Sequence, residues 1–182
     1  LNGSSSPGPV DVVAGACLMM KADAFERVGG FNVGYFMYAE DVDLCFAAKQ
    51  NGWQVYYVPS ACVVHHGGRS SDIQTESYFA AIVMRESILK FLRMRRGSFY
   101  GTTYRYVIAI TALLRVGLLG VLAVIAPELR RKSRTMAFRK WRKVLRWAIG
   151  LENWASKLGK ETNHENKNDG SARDAYRAAA KS

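Results

Sequence analysis

The spacing of apolar and polar residues predicts three strands in the first third of the chain. Residues 10–20 are apolar and β-branched with small residues inserted, a pattern that is typical of a buried strand. Two β-rich runs follow at 53–58 and 61–66, and they end at a proline and at a pair of glycines respectively. We therefore expect a mixed sheet in this part of the protein.

Helices are predicted between and after these strands. Two of them, over 24–28 and 40–51, each end at a glycine, which is a common helix terminator. Helical spacing of apolar residues predicts a third over 78–96. The order of elements up to residue 96 is that of a mixed α/β layer, and it is too short for a complete nucleotide-binding α/β domain.

The second half of the chain is first apolar and then basic. Residues 106–126 are mostly apolar, are interrupted by Arg115, and are long enough to cross a bilayer. Residues 130–147 interleave nine Lys and Arg residues with large apolar ones, which is typical of a helix on an anionic membrane surface. The expected layout is a loop at 1–9, the α/β part at 10–96, apolar and basic helices at 97–150 and a polar, disordered tail at 151–182.

Charge is distributed unevenly over the 182 residues, whose net charge is +11. Residues 1–84 have a net charge of −4, residues 85–147 have +14, and residues 148–182 have +1. A segment as basic as the middle one indicates an anionic partner.

The cysteines indicate the cellular compartment, and the first residue bears on whether the sequence is a piece of a longer chain. Cys17, Cys45 and Cys62 have neither the number nor the spacing of a disulfide framework or a zinc site. We expect them to be small core residues in a reducing compartment. Because the chain begins with Leu1 and shows no secretory signal, we expect a processed chain or a piece of a longer one.

The run Glu40-Asp41-Val42-Asp43 places three carboxylates within four positions, at the predicted start of a helix. Carboxylates this close repel one another and lose hydration beside apolar residues unless hydrogen bonds or cations compensate. Such a run often serves as a general base, a metal contact or a contact to a polar ligand. The alternative is an acidic helix N-terminus that complements the helix dipole.

Five blocks of sequence carry a resemblance to a known family. They are VAGACLMM at 13–20, FERVGGF at 25–31, FMYAEDVDLC at 36–45, GWQVYYVP at 52–59 and VVHHGG at 63–68. In this order and spacing they resemble the family 2 glycosyltransferases, above all the rhamnosyltransferase-like bacterial members that build cell-surface glycans. The resemblance covers residues 10–70 and extends weakly through 71–96. It implies a GT-A fold of which this sequence holds only the C-terminal, acceptor-binding half.

The resemblance implies an inverting glycosyltransferase that moves a sugar from a nucleotide-sugar donor to a glycan or lipid-linked acceptor in polysaccharide synthesis. Asp41 corresponds to the family's general base, which takes the proton of the attacking acceptor hydroxyl. Glu40 is its expected partner in positioning or tuning. A divalent metal, Mg or Mn, is expected in the full-length enzyme, with its main ligands in the half that is absent here. The piece alone is expected to be inactive.

Further site residues are expected on the acceptor side. Gly15 and Ala16 resemble the strand that lines the acceptor pocket, and close core packing is the equal alternative. Tyr38 and Asp43 are expected acceptor contacts, with a helix-start role as the alternative for Asp43. The sequence Asp41-Val42-Asp43 is formally a DxD, but it lies inside the base motif, so we do not assign it the metal-diphosphate role.

Two residues near the end of the resemblance are candidates for the donor side. His65 stands at the end of a predicted strand, where some members of the fold present an imidazole to a metal or to the donor diphosphate. Of the adjacent pair at 65 and 66, at most one side chain is expected to face inward, because side chains alternate along a strand. Arg69 is the second candidate. The alternatives are a structural histidine and a solvated loop arginine.

The apolar and basic segment fits an acceptor carried on a polyprenyl diphosphate. We expect attachment to the cytoplasmic face of the bacterial inner membrane, either peripherally or by one membrane segment near 106–126. An anionic membrane surface attracts each nearby Lys or Arg by roughly 1 kcal/mol. The alternative is a core helix packed on the domain.

Two other classes of function stay open. One is a non-catalytic module that binds a glycan or a partner enzyme. The other is a protein that binds nucleic acid through its basic residues and interleaved aromatic ones. No nucleic acid is expected, because such a module does not need an apolar run of near membrane length.

Overall fold

The computed structural model describes residues 6–65, 78–126, 128 and 131–158. Within these ranges the protein is mostly helical, with five α-helices and a small two-stranded sheet. The elements in chain order are β1 (Gly8–Pro9), a 3-10 turn (Gly15–Cys17), α1 (Ala22–Arg27), α2 (Glu40–Gln50), β2 (Tyr56–Tyr57), α3 (Phe79–Arg96), α4 (Ser98–Ile125) and α5 (Arg131–Ala148).

The sheet is much smaller than the sequence predicts. Strands β1 and β2 pair antiparallel, with Gly8 opposite Tyr57. The predicted strand over 10–20 contains the 3-10 turn instead, and 61–65 has no regular structure. Strands exist only where a neighbour supplies partners for their backbone groups. The α/β layer expected from the sequence is therefore reduced, in the described residues, to this short ladder.

The helix predictions are confirmed, and one helix is longer than expected. Helix α4 begins at Ser98 rather than near 106, so that Gly97 alone separates it from α3. Gly97 has a φ of 93°, a conformation that glycine adopts without strain and that allows one helix to follow another after a sharp bend.

The structure also corrects the expectation that all three cysteines are core residues. Cys17 and Cys62 are exposed and only Cys45 is buried.

The core lies between the three long helices. Its buried members are Phe79, Ile82, Val83 and Leu89 from α3, Ala112 from α4, Val144, Trp147 and Ala148 from α5, and Ala155. The Trp147 indole is 1% exposed and donates its Nε1 hydrogen to Glu86 Oε2 at 2.7 Å, which satisfies the one polar group of that side chain.

Part of the tail that was expected to be disordered is packed on this core. Residues 154–158 are helical, and the Trp154 ring stacks on Phe79 at a centroid distance of 5.3 Å. Glu152 accepts hydrogen bonds from Lys143 at 3.1 Å and from Arg146 at 3.0 Å, which fastens this segment to α5. Residues 159–182 lie outside the described part of the chain.

Helices α4 and α5 form an antiparallel hairpin in which each helix caps the C-terminus of the other. Arg105 donates from Nε and Nη2 to the carbonyls of the last two residues of α5, at 2.8 Å each. At the other end, Arg134 Nη1 donates to the carbonyls of Ala126 at 2.6 Å and Leu122 at 3.2 Å. Helix ends leave such carbonyls without partners, and a cation also complements the negative end of the helix dipole.

Among the described helices, α4 is long and apolar enough to cross a membrane. Only 6% of its most apolar 18-residue stretch is buried. Within the part of the chain that the structure describes, this helix is therefore mostly exposed.

Candidate active site

The acidic run begins α2 directly after a strained loop. Tyr38 and Ala39 have φ values of 69° and 64°. Left-handed conformations of this kind cost residues with a Cβ about 1 to 3 kcal/mol each, and they persist only where the surroundings hold them. Strain next to a candidate catalytic carboxylate points to a functional loop.

Helix α3 holds this loop from behind. The buried Ser87 hydroxyl donates to the carbonyl of Met37 at 2.7 Å, and Lys90 Nζ donates to the carbonyl of Gly34. Both acceptors belong to the aromatic loop that leads into α2. Two contacts between residues that are 50 and 56 positions apart in the sequence thus fix the backbone that leads into Glu40 and Asp41.

The carboxylate of Asp41 is held by two backbone N–H groups. Its Oδ2 accepts from Gly15 at 2.8 Å and its Oδ1 accepts from Val42 at 2.8 Å. A Cβ at position 15 would lie 3.3 Å from the Cβ of Asp41, so a residue without a side chain suits this close approach. The structure therefore brings together the predicted base and a predicted wall of the acceptor pocket. Ala16 is exposed in the same 3-10 turn.

Asp43 has a different environment from that of Asp41. Its side chain is 2% exposed, and Arg95 donates to both oxygens, from Nε at 2.5 Å and from Nη2 at 3.0 Å. Asn32 adds a third hydrogen bond at 3.3 Å. The hydrogen bond with Asp43 raises the pKa of Arg95, and burial together with the charge of Asp43 raises the pKa of Tyr35. This position agrees with a scaffold role at the helix start better than with an acceptor contact.

Glu40 and Tyr38 lie partly buried beside Asp41 in the chain. Glu40 Oε2 is buried and has no hydrogen-bond partner among the described residues. A buried carboxylate oxygen is costly until a donor reaches it. Tyr38 packs against the helical core. Within this acidic run, Glu40 is therefore the residue with a buried oxygen that still lacks a hydrogen-bond donor among the described residues.

The predicted donor-side residues are not gathered at this site. His65 is exposed in a segment without regular structure, and Arg69 lies outside the described residues. In the described part of the chain no group of three or more His, Cys, Asp or Glu residues is placed to hold a metal ion. Asp41 and Asp43 do not form a metal pair either, because Arg95 occupies the second carboxylate. The main ligands of the expected Mg or Mn belong, on that expectation, to the half that is absent here, and the residues described here do not form a metal site of their own.

Sequence reasoning missed the residues that hold the site in place. Arg95, Ser87 and Lys90 all lie in the predicted helix over 78–96, and the sequence pattern assigns none of them a role at the site. The sequence could have indicated that Asp43 needs a partner such as Arg95, because an aspartate buried among apolar residues requires a cation or several hydrogen-bond donors. The partner itself lies 52 positions away, and local patterns do not identify it.

The comparisons with known proteins agree on one family. Residues 2–160 match the family described as glycosyl transferase family group 2. The N-acetylglucosaminyl-diphospho-decaprenol L-rhamnosyltransferase of Mycobacterium tuberculosis strain H37Rv is 36% identical over 129 residues, which are 71% of this chain and 40% of that protein. Rhamnosyltransferase WbbL of Escherichia coli strain K12 is 42% identical over 57 residues, which are 31% of this chain and 22% of that protein.

A more distant relative is the low-salt glycan biosynthesis hexosyltransferase Agl10 of Haloferax volcanii, 29% identical over 58 residues, which are 32% of this chain and 19% of that protein. No solved structure matches the chain. The match spans 40% of the length of the mycobacterial relative.

Proposed function

The chain belongs to glycosyl transferase family group 2, and we propose that it forms the acceptor-side half of an inverting glycosyltransferase of polysaccharide synthesis. One observation carries the proposal. The Asp41 carboxylate stands at the start of α2, next to a strained loop, and is held by backbone N–H groups rather than by a cation. That arrangement fixes the carboxylate in position and leaves it without a paired cation, so that it can face an acceptor hydroxyl.

In the proposed reaction Asp41 is the general base. The acceptor hydroxyl oxygen forms a bond to the anomeric carbon of the donor sugar while the bond to the nucleotide diphosphate breaks. The hydroxyl proton passes to Asp41, and the electron pair of the broken bond leaves with the diphosphate. Each oxygen of an ionised carboxylate has about two acceptor positions, so one backbone hydrogen bond to each leaves capacity for the acceptor hydroxyl.

The neighbours of Asp41 receive acceptor-side roles in this proposal. Glu40, with its buried oxygen free of protein donors among the described residues, positions the acceptor or tunes the base. Ala16 and Tyr38 lie on the two segments that meet at Asp41, the exposed 3-10 turn and the loop before α2, and form the edges of the acceptor pocket.

The donor side belongs mainly to chain beyond the region described here. We propose a nucleotide-sugar donor, a divalent metal bound by other residues of the full-length enzyme, and contacts to the donor diphosphate from His65 and Arg69. No step of the reaction is assigned to the metal, because the described residues do not form a metal site of their own.

We also propose that this region is the C-terminal part of a GT-A fold. Ala14 and Leu18, on either side of the 3-10 turn, have extended backbone dihedrals, and the apolar Met19 and Val64 are 99% and 85% exposed. Apolar, extended segments of this kind suit strands that pair with a larger sheet. The relatives' greater length provides chain for that sheet.

The acceptor is proposed to be lipid-linked. The name of the mycobacterial relative specifies a diphospho-decaprenol carrier, and this chain carries a long apolar helix beside a basic one. An enzyme that works on a polyprenyl diphosphate must reach the membrane surface. We propose attachment at the cytoplasmic face of the bacterial inner membrane through α4 and α5.

The test uses the full-length enzyme, a panel of nucleotide-sugars and a polyprenyl-diphosphate-linked acceptor. Asp41→Asn is expected to lower kcat by about 10²- to 10⁴-fold while leaving donor binding intact, because only proton transfer is removed. Asp11→Asn is the matched control, since Asp11 is an exposed carboxylate paired with Lys49 on the surface. Turnover by Asp41→Asn at the rate of the control would contradict the assignment. Glycan binding without transfer to any acceptor would favour a non-catalytic module.

A further inference from the structure

Helix α4 exposes a continuous apolar stripe along its length. The stripe repeats every three or four residues and includes Tyr106, Ile110, Leu114, Leu118, Val121 and Ile125, each more than half exposed. Residues at this spacing share one face of a helix. At 1.5 Å per residue, the 28 residues of α4 extend over about 42 Å, longer than the roughly 30 Å hydrocarbon core of a bilayer.

Helix α5 runs beside α4 for most of that length. Arg105 binds the end of α5, Arg115 lies 4.5 Å from the centre of the Trp141 ring, and Arg134 binds the end of α4. These three contacts lie near the start, the middle and the end of the hairpin. The stacking also turns Arg115, the one charge in the predicted membrane segment, toward α5.

This packing bears on whether α4 crosses a membrane. Among the side chains of α5 that the structure describes, four cations are exposed, namely Lys132, Arg139, Arg142 and Arg146. If α4 spanned the bilayer, α5 would enter the hydrocarbon with it. Each Lys or Arg at the centre of a spanning helix lowers the equilibrium constant for insertion on the order of a hundredfold. The hairpin as a unit is therefore poorly suited to span.

We propose that the α4–α5 hairpin lies in the plane of an anionic membrane, with the α4 stripe in the acyl boundary and α5 at the level of the lipid headgroups. An interfacial helix buries its apolar face about 5–10 Å deep, and packed helices lie about 8–10 Å apart, so the second helix reaches the phosphates. The net charge of +14 over residues 85–147 complements anionic lipid. The inference concerns attachment and stands whether or not the proposed transfer is correct.

The first experiment measures sidedness in the full-length protein. In a variant without native cysteines, Ser98→Cys marks the start of α4 and Ser133→Cys marks the start of α5, beside the end of α4; both positions are exposed. A membrane-impermeant maleimide is added to spheroplasts or to inverted inner-membrane vesicles. Both sites are expected to react only in the inverted vesicles. Reaction of the two sites from opposite sides would show a span and overturn the proposal.

The second experiment measures binding of the purified full-length protein to vesicles. Adding about 30% phosphatidylglycerol to phosphatidylcholine is expected to strengthen binding at least tenfold, and salt to weaken it. Leu114→Glu with Leu118→Glu is expected to weaken binding at least tenfold. The control pair Val58→Glu with Met84→Glu replaces exposed apolar residues outside the stripe. It is expected to change vesicle binding less than twofold. Circular dichroism checks that both pairs stay folded.

A third variant pair tests the basic helix. Arg139→Gln with Arg142→Gln is expected to weaken binding to the anionic vesicles about fivefold per charge and to leave binding to neutral vesicles unchanged. Two results would overturn the proposal. One is tight binding to RNA with none to anionic vesicles. The other is a lipid-free dimer that Leu114→Glu with Leu118→Glu dissociates, again without vesicle binding, because the stripe would then face a second copy.

Discussion

The site region, residues 6–65, and the helical region, residues 78–158, are stabilised in different ways. The site region is organised by polar contacts, chiefly those of Asp41 and Asp43, while apolar residues such as Met19 remain exposed. The helical region buries Ile82, Val144 and Trp147 almost completely. Several of its exposed apolar residues form the stripe on α4, whereas others, such as Met84 on α3, lie outside it. The exposed apolar residues of the site region suit a sheet that further strands complete. The apolar stripe of the helical region suits contact with a lipid surface.

The two regions meet on α3, which serves each of them with a different face. Ile82, Val83 and Leu89 pack into the helical core, whereas Ser87, Lys90 and Arg95 hold the loop and the start of α2. The geometry around the candidate base therefore depends on a helix that belongs to the other region. Substitutions on each face of α3 and on its partners can separate the two contributions.

The largest expected effect on stability comes from the helical core. Trp147→Ala should lower the free energy of unfolding by about 4 kcal/mol, because a fully buried indole leaves a cavity. Trp147→Phe keeps most of the volume and should cost about 2 kcal/mol, since Glu86 then loses its donor. Urea unfolding followed by circular dichroism measures both. A loss below about 1 kcal/mol for Trp147→Ala would contradict this view of the core.

The next effect tests the polar link between the regions. Arg95→Ala leaves the buried Asp43 without its cation and should cost about 3 kcal/mol, with a parallel loss of transfer because α2 is no longer held. Arg96→Ala, at the exposed neighbouring arginine, is the control and should cost less than about 1 kcal/mol. In a double-mutant cycle, Asp43→Ala with Arg95→Ala should show a coupling above about 1 kcal/mol. Simple additivity would rule out the link.

The sequence predicts the helices far better than the sheet. The spacing of apolar residues places α2, α3 and α5 within one or two residues, because a helix satisfies its own backbone groups. The β-rich patterns over 10–20 and 61–66 are as strong as these helical ones. A strand, however, also needs a neighbouring strand to pair with, and local sequence does not encode that neighbour. The acidic run alone left a functional site and an acidic helix N-terminus as alternatives, and the resemblance to the family 2 glycosyltransferases pointed to Asp41 as the base. Its anchors, Gly15 and Arg95, lie 26 and 52 positions from the carboxylates they hold.

A smaller effect of opposite sign tests the strain before α2. Ala39→Gly should raise the free energy of unfolding by about 1 kcal/mol, because glycine adopts a φ of 64° without a Cβ penalty. Ala47→Gly, inside α2, is the control and should lower it by about 1 kcal/mol. If the strain serves the site, the stabilised Ala39→Gly enzyme should transfer more slowly. A destabilised Ala39→Gly protein would show that the loop is held in another conformation in solution.

The smallest effect concerns the segment that fastens residues 151–158 to α5. Burial acts to raise the pKa of Glu152, but hydrogen bonds from Lys143, Trp154 and Arg146 outweigh it and hold that pKa below its ordinary value of 4.5. A carboxylate whose pKa is lowered by folding stabilises the protein above the unfolded pKa, and this contribution disappears as the pH falls through the folded one.

Glu152→Gln should therefore lower stability at pH 7 by less than about 1 kcal/mol, because the partners are partly exposed cations, and this loss should shrink as the pH falls through the lowered pKa of Glu152. Thermal unfolding of both proteins from pH 3 to pH 7 measures the difference. An equal loss at both ends of that range would mean that Glu152 acts through packing rather than charge. The segment would then be held on the helical region chiefly by the stacking of Trp154 on Phe79.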